Sequence, residues 1–143
     1  MELGTLPRVP LTRQRLNLGT LVYFQDARDF HAYYKNVCDR HDNAVYPRFK
    51  KFCDDYFYIP ARKEHRGVGG IFFDDLIKLD NGADSLPFVK EIAQGFMPSY
   101  LPIAMRREKL PFTQHQRDWQ LVRRGRYLEF NLLYDRGVVG CRS

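Results

Sequence analysis

Several features that would assign a class at once are missing from this sequence. Its 143 residues contain no apolar stretch near the length of about eighteen residues that a membrane-spanning helix needs. The three cysteines, Cys38, Cys53 and Cys141, form no CxxC pair, so they offer no zinc or iron–sulfur ligand set. Their odd count is typical of reduced intracellular thiols rather than of a disulfide framework. No run of about five to eight Lys and Arg residues marks a nucleic-acid-binding tail.

Familiar catalytic motifs are missing as well. The four histidines, His31, His41, His65 and His115, form no HExxH or other compact metal-ligand pattern. Each is better explained as a surface or core residue. There is no GxSxG elbow, and the glycines within 66–70 match neither GxGxxG nor a P-loop. These absences disfavour zinc hydrolases, serine hydrolases and nucleotide-binding proteins, so the carboxylates are the better candidates for chemistry.

Aromatic surface and positive charge are what the sequence does contain. Aromatic residues make up 15% of the chain and hydrophobic residues 44%, which is enough to fill a core. Charged residues make up 28%, so the composition is not that of a disordered protein. The net charge of +6 favours an anionic partner: nucleic acid, anionic lipid or a polycarboxylate ligand. A solvated basic surface is the simplest explanation, and an acidic small ligand is the next.

Helical periodicity covers two segments of the N-terminal half, after an opening segment that we interpret as an unstructured leader. Pro7 and Pro10 would interrupt any amphipathic transit helix in that leader. Three- and four-residue spacing of apolar side chains predicts a helix from Gln25 to His41, capped by Asp26. A second helix is predicted to open at Pro47, since proline suits a first helical turn. Its apolar stripe would contain Phe49, Phe52, Cys53 and Tyr56.

Turn-forming residues divide the rest of the chain. The glycines of 66–70 predict a tight bend before a short strand at 71–73. Ser85 to Glu108 is predicted to be helical, with Ser85 as its cap and with Gly95 and Pro98 kinking or dividing it. A further helix is predicted from Thr113, its cap, through about residue 124, with a glycine at 125 placed to end it.

Strict alternation from Arg126 to Asp135 predicts a β-strand. Leu128, Phe130, Leu132 and Tyr134 would share one face, of which Phe130 and Leu132 should pack on a core, and Glu129, Asn131 and Asp135 lie on the other. The polar face is either an ordinary solvated sheet surface or one wall of a ligand cleft. The residues alone therefore indicate a soluble α+β domain with a carboxylate-bearing sheet face.

Three long segments resemble one known family. They are Tyr46–Tyr58 (YPRFKKFCDDYFY), Arg66–Leu76 (RGVGGIFFDDL) and Arg123–Gly137 (RRGRYLEFNLLYDRG), and DARDFH at 26–31 fits the helix that precedes them. In this order they are similar to the oxygen-dependent coproporphyrinogen III oxidase family. The resemblance covers 23–138, which leaves 1–22 as a leader outside the family pattern and 139–143 as a divergent tail.

The resemblance implies an activity and an architecture. Family members use molecular oxygen to decarboxylate coproporphyrinogen III oxidatively to protoporphyrinogen IX, releasing two molecules of carbon dioxide, and the eukaryotic members need no redox cofactor. They are homodimers built on a large antiparallel sheet flanked by helices. We accordingly expect an α+β fold, truncated relative to the family domain, and a homodimer formed through the strand near 126–137. No nucleic-acid partner and no membrane span are expected, and the cytoplasm is the expected compartment, with mitochondria as the alternative.

The resemblance also names site residues. Asp135, the aspartate of the YDRG motif, is implied to lie among the pyrrole N–H groups of the substrate as the catalytic carboxylate. Arg136 is implied to bind substrate, including its propionates, and Asn131 is a further substrate-binding candidate on the polar face. On a regular strand Arg136 would point away from Asp135, so both can act together only if the chain bends near Gly137.

The departures from the family pattern set further expectations. Met1–Thr20 contains no histidine to match the family's proposed proton donor, and the chain ends shortly after Gly137, before the family's Gly-Gly-Arg substrate loop. Ala61 stands where bacterial members have a histidine proposed to bind a divalent metal beside the equivalent of His31, so no metal site is expected. An active enzyme and a catalytically inactive truncated member that binds a full-length subunit both remain open. A basic nucleic-acid-binding module is the weakest of the three hypotheses.

Overall fold

The computed structural model describes residues 24–138 in full and the backbone of 16–17, 21–22 and 139. Helices dominate an α+β arrangement. The described strands are β1 (Leu16–Asn17), β2 (Leu21–Val22), β3 (Tyr58–Ile59) and β4 (Glu64–His65). The described helices are α1 (Phe24–His41), α2 (Val45–Tyr56), α3 (Ser85–Gln94), α4 (Phe96–Arg107), α5 (Gln114–Leu133) and α6 (Arg136–Val139), with a 3₁₀ turn at Pro60–Arg62.

The strands form two small antiparallel pairs. β1 pairs with β2 in the register Leu16↔Val22, and β3 pairs with β4 in the register Tyr58↔His65. The large antiparallel sheet expected from the resemblance is not present among the described residues. The predicted leader, 1–22, contains the β1–β2 pair, and its other residues lie outside the described part.

Helix α1 confirms the prediction from spacing, but Asp26 has a different role from the one predicted. The helix begins at Phe24, so Asp26 lies in its first turn rather than at a cap. Its fully buried carboxylate accepts hydrogen bonds from Arg107 at 2.9 and 3.1 Å and from Arg106 at 3.1 Å. These charge-assisted bonds join the start of α1 to the end of α4.

The core lies where α1, α2 and α3 meet. Its buried members are Cys38, Val45, Phe49, Leu79 and Phe88. Phe88 is completely buried, and its ring centroid lies 5.5 Å from that of Phe73 and 5.9 Å from that of Phe49. Helix α2 begins at Val45, two positions before the predicted start, which places Pro47 inside the first turn where proline is tolerated. Of the predicted stripe, Phe49 and Cys53 are buried, and the other two rings are partly exposed.

Replacing Phe88 with alanine should lower the free energy of unfolding by about 3–5 kcal/mol, because the buried ring would leave a cavity between three elements. Leu86→Ala is the matched control on the same helix: Leu86 is exposed, so its change should stay within about 0.5 kcal/mol. Urea unfolding of both variants measures the difference. Equal losses would contradict the assignment of Phe88 to the core.

The division of 85–108 into two helices was predicted correctly at Gly95. A Cβ added to Gly95 would lie 2.9 Å from Cε1 of Tyr33, so the missing side chain lets α1 approach the junction of α3 and α4. The predicted cap of α3 is wrong by one position. Asp84 is the N-cap and accepts from the backbone N–H of Leu86 at 3.1 Å, while the hydroxyl of Ser85 donates to the carbonyl of Leu76 at 2.6 Å.

Helix α5 confirms one prediction and overturns another. Thr113 and Gln116 form a capping box, as the cap prediction requires, but the helix continues through Gly125 to Leu133. The predicted strand Arg126–Asp135 is therefore wrong. The homodimer expected through this segment stays a prediction, but the segment is helical. Phe130 is buried as expected, whereas Leu132 is 49% exposed.

Ion pairs on one face of α5 accompany its continuation past Gly125. Arg123 and Arg126, one turn apart, both contact Glu64 of β4 at 2.6 Å. Arg126 also lies 3.6 Å from Glu129 along the helix. The alternation of apolar residues could not predict these ion pairs, because Glu64 is distant from α5 in the sequence.

The glycine-rich segment bends as predicted but does not enter a strand. Gly69 has φ +76°, a left-handed conformation that suits glycine. Residues 71–73 are irregular, so the predicted strand there is wrong. The segment is tied to α2 by a hydrogen bond from the N–H of Phe72 to the carbonyl of Phe49 at 3.1 Å. No helix in the described part of the chain is long and apolar enough to cross a membrane.

Candidate functional site

An open cleft of about 680 Å³ lies along the glycine-rich segment 66–72. Side chains of α1, α2 and α5 complete its walls, among them Tyr34, Lys50 and Tyr127. The segment approaches α2 closely at Gly69, where a Cβ would lie 3.4 Å from Oδ1 of Asp54 and 3.7 Å from Sγ of Cys53. Glycine therefore shapes this wall both by its positive φ and by its lack of a side chain.

Arg66 supplies a fixed positive charge at the aromatic end of the cleft. The centre of its guanidinium lies 3.7 Å from the ring centroid of Phe57, 4.5 Å from that of Tyr127 and 5.0 Å from that of Phe130. Burial lowers the pKa of Arg66, and the nearby Tyr127 and Asp135 act in the opposite direction. Arginine stays protonated under such conditions, so the cleft carries a cation packed between aromatic rings.

Of the three predicted site residues, Asn131 contacts Arg66 and Asp135 acts on it through its charge. Asn131, in the last turns of α5, accepts a hydrogen bond through Oδ1 from Nη1 of Arg66. Asp135 follows the end of α5, and its charge acts on Arg66. Oδ1 of Asp135 accepts the backbone N–H of Gly137 at 2.9 Å, while its second oxygen accepts no hydrogen bond from the residues that the structure describes. One carboxylate oxygen is thus available to an N–H donor.

Arg136, the third predicted residue, is held by other groups. Its Nη2 forms an ion pair with Oδ2 of Asp74, and its guanidinium lies 5.1 Å from the ring centroid of Tyr56 and 5.9 Å from that of Phe72. The backbone N–H of Arg136 donates to the Tyr56 hydroxyl at 3.2 Å. The side chains of Arg136 and Asp135 therefore have different partners. The predicted strand also implied that they would point in different directions, but here a turn between α5 and α6 lies in place of the strand.

The two positions raised in connection with a metal lie in different surroundings. Both ring nitrogens of His31 are engaged, with Nδ1 3.0 Å from the Tyr46 hydroxyl and Nε2 3.3 Å from the carbonyl of Val68. Burial, and then the charge of Lys50, lower the pKa of His31. Ala61 is exposed in the 3₁₀ turn. Across 24–139 no group of three or more His, Cys, Asp and Glu residues is placed to hold a metal ion. The absence of a metal from the working site stays a prediction.

Sequence reasoning missed Arg66 as a site residue and did not connect Asp74, one of the candidate carboxylates, with Arg136. Both Arg66 and Asp74 lie in the segment RGVGGIFFDDL, which was used for the predicted bend and for the family resemblance. An arginine entering a glycine bend beside aromatic residues was the available signal for Arg66. For the contact between Asp74 and Arg136 no local signal existed, because the two residues are distant in sequence.

Comparison with known proteins gives one consistent match. The sequence profile described as coproporphyrinogen III oxidase matches residues 19–141. The chloroplastic oxygen-dependent coproporphyrinogen-III oxidase of Glycine max is 53% identical over 118 residues, which is 82% of this chain and 30% of that protein. The oxygen-dependent coproporphyrinogen-III oxidase of Drosophila melanogaster is 51% identical over 114 residues, 80% of this chain and 29% of that protein. The enzyme of the same name from Francisella tularensis is 48% identical over 116 residues, which is 80% of this chain and 37% of that protein. The chain thus spans between 29% and 37% of the length of these relatives.

Proposed function

Because the chain belongs to the coproporphyrinogen III oxidase family, we propose that it contributes the Asp135 region of an active site that converts coproporphyrinogen III to protoporphyrinogen IX. Molecular oxygen is the oxidant in this proposal, and no redox cofactor takes part. The observation that carries it is the surroundings of Arg66, which lines an aromatic cleft, donates a hydrogen bond to Asn131 and is acted on by the charge of Asp135.

The cleft suits the chemistry of the substrate. Coproporphyrinogen III is a flexible ring of four pyrroles that bears four propionates, so a site for it needs apolar walls and cations. Phe57, Phe72 and Tyr127 offer ring faces, and Arg66 offers a cation beside them. Arg136, whose guanidinium lies 5.9 Å from the ring centroid of Phe72, is a second cation for a propionate.

Asp135 has a role that only a carboxylate can fill. Pyrrole N–H groups are donors, and the oxygen of Asp135 that accepts no hydrogen bond from the described residues can accept from them. Each charge-assisted bond contributes about 1.5–3 kcal/mol. The same carboxylate can act as the base that accepts the N–H proton of the pyrrole whose anion reacts with oxygen, while Asn131 holds Arg66 in place through its amide oxygen.

A second candidate function is association with another family subunit without catalysis by this chain. Leu128 and Leu132, four positions apart on α5, are 56% and 49% exposed and present an apolar stripe that a partner would bury. The two candidates are compatible if the partner supplies the remaining substrate contacts.

Coproporphyrin III, the stable oxidised form of the substrate, provides a binding test. The 143-residue chain should bind it saturably, and Arg66→Ala should weaken binding by about tenfold or more, since a charge-assisted contact is lost. Arg124→Ala is the matched control, because it removes an exposed arginine from α5, and should change affinity less than about twofold. Fluorescence titration measures all three. Equal effects of the two substitutions, or no saturable binding, would contradict the proposal.

A further inference from the structure

We propose that Asp74 is a positioning residue that sets the orientation of the Arg136 guanidinium toward a substrate carboxylate, an inference that rests on the proposed function of Arg136. Asp74 itself touches no substrate in this account. It acts through Arg136, with which it forms an ion pair.

Three contacts restrict Arg136. Asp74 pairs with one terminal nitrogen of its guanidinium, Tyr56 lies beneath the guanidinium at 5.1 Å, and the Tyr56 hydroxyl accepts the backbone N–H at 3.2 Å. The ring of Tyr56 is itself fixed, because it stacks on Phe72 with centroids 5.0 Å apart. A side chain that is 57% exposed on a four-residue helix would otherwise sample many rotamers.

The ion pair leaves Arg136 competent to bind an anion. A guanidinium carries five N–H donors in a fixed fork, more than the single carboxylate of Asp74, which meets it at Nη2, can engage. Within residues 24–139 no second acceptor binds the guanidinium. A substrate propionate can therefore bind the remaining N–H groups while Asp74 holds the plane of the fork.

Orientation, rather than stability, is what this ion pair offers. Asp74 is 43% exposed and Arg136 is 57% exposed, and ion pairs at such exposure contribute little to folding. Removing Asp74 should consequently leave the fold intact and change only how Arg136 presents its donors. If Asp74 acted only through its charge, its removal would change the affinity in the opposite direction. Deleting a negative charge near Arg136 would strengthen the binding of an anion.

Asp75 is a natural control. It carries the same charge at the next position, is exposed and forms no ion pair among the described residues. Its φ of 48° is a conformation that asparagine tolerates well. Asp75→Asn therefore reproduces the charge change of Asp74→Asn without touching Arg136.

The test is the affinity of the 143-residue chain for coproporphyrin III, with its tetramethyl ester as a ligand that lacks carboxylates. Arg136→Ala should weaken binding of the acid about tenfold or more. Asp74→Asn should weaken it about two- to tenfold, the effect of freeing one side chain, and Asp74→Glu should restore part of the loss. Asp75→Asn should have no effect beyond about twofold, and in an Arg136→Ala background Asp74→Asn should add nothing. The ester should be insensitive to all of these changes.

The outcomes separate the two claims. If Arg136→Ala leaves affinity unchanged, or the unmodified chain does not bind, the proposed function of Arg136 fails and the role of Asp74 fails with it. If Arg136→Ala weakens binding but Asp74→Asn strengthens it or matches Asp75→Asn, only the positioning role is overturned. Nitrogen-15 relaxation of the Arg136 side chain gives a second measurement, in which Asp74→Asn should increase its mobility and unchanged mobility would overturn the proposal.

Discussion

Asp135→Asn is expected to reduce turnover of coproporphyrinogen III by at least about a hundredfold in a complete family domain, because asparagine keeps the shape of the side chain but removes the charge. Loss of two charge-assisted hydrogen bonds to pyrrole N–H groups, at about 1.5–3 kcal/mol each, corresponds to about 10²–10⁴ in rate. The complete domain can be supplied by a chimera in which residues 19–141 replace the matching stretch of the Glycine max relative. Protoporphyrin fluorescence reports the rate.

Asp118→Asn is the control for this substitution. Asp118 is an exposed aspartate on α5 that accepts a hydrogen bond from Gln114 at 2.8 Å within the helix, so its change should leave the rate within about twofold. Circular dichroism verifies that both variants are folded. A folded Asp135→Asn chimera with near-normal turnover would show that the pyrrole-facing role does not belong to Asp135.

The 143-residue polypeptide by itself is expected to show no sustained turnover. It spans about 30% of the length of the plant relatives, and the segments that the resemblance assigns to the proton donor and to the Gly-Gly-Arg substrate loop lie outside its matched motifs. Proximity and orientation of such groups account for about 7–11 kcal/mol of a catalysed reaction's barrier, so their loss removes most of the rate.

The assay for the isolated polypeptide follows both products. The purified chain is incubated with coproporphyrinogen III and oxygen while protoporphyrin fluorescence and carbon dioxide release are recorded, and the Glycine max enzyme under the same conditions is the positive control. Product formation above the uncatalysed background would show that Asp135 and the residues around Arg66 suffice for the reaction.

The helices that were predicted correctly are those whose spacing and capping residues lie close together in the sequence. The spacing of apolar residues predicted α1, Thr113 was predicted correctly as the cap of α5, and Gly95 was predicted to divide α3 from α4. Each depends on residues within one or two helical turns, so the sequence contains the whole cause. The errors of one or two positions at the starts of α2 and α3 are of the size expected at helix ends.

The segment after Gly125 could not be predicted in this way. Its alternation is typical of a strand, but the contacts that accompany the helix come from Glu64, which pairs with Arg123 and Arg126 only after the chain has folded. A long helix already begun at Thr113 also extends through a glycine at modest cost, about 1 kcal/mol relative to alanine. Tertiary contacts therefore outweighed the local pattern.

For the candidate site, the sequence likewise identified residues but did not predict their contacts. The family resemblance named Asp135, Arg136 and Asn131, but not where their side chains lie. Asn131 contacts Arg66, and Arg136 contacts Asp74, across separations of more than sixty residues that no periodicity encodes. The sequence thus supplied candidates for chemistry, and the fold supplied their partners.

The central claim, that this chain carries a working Asp135 region of a coproporphyrinogen III oxidase site, is tested most directly by turnover of the chimera with residues 19–141 unmodified. With 53% identity over the exchanged region, the chimera should convert coproporphyrinogen III within about tenfold of the rate of the Glycine max enzyme, since each tenfold corresponds to only about 1.4 kcal/mol. A folded chimera that forms protoporphyrin no faster than the uncatalysed background would contradict it.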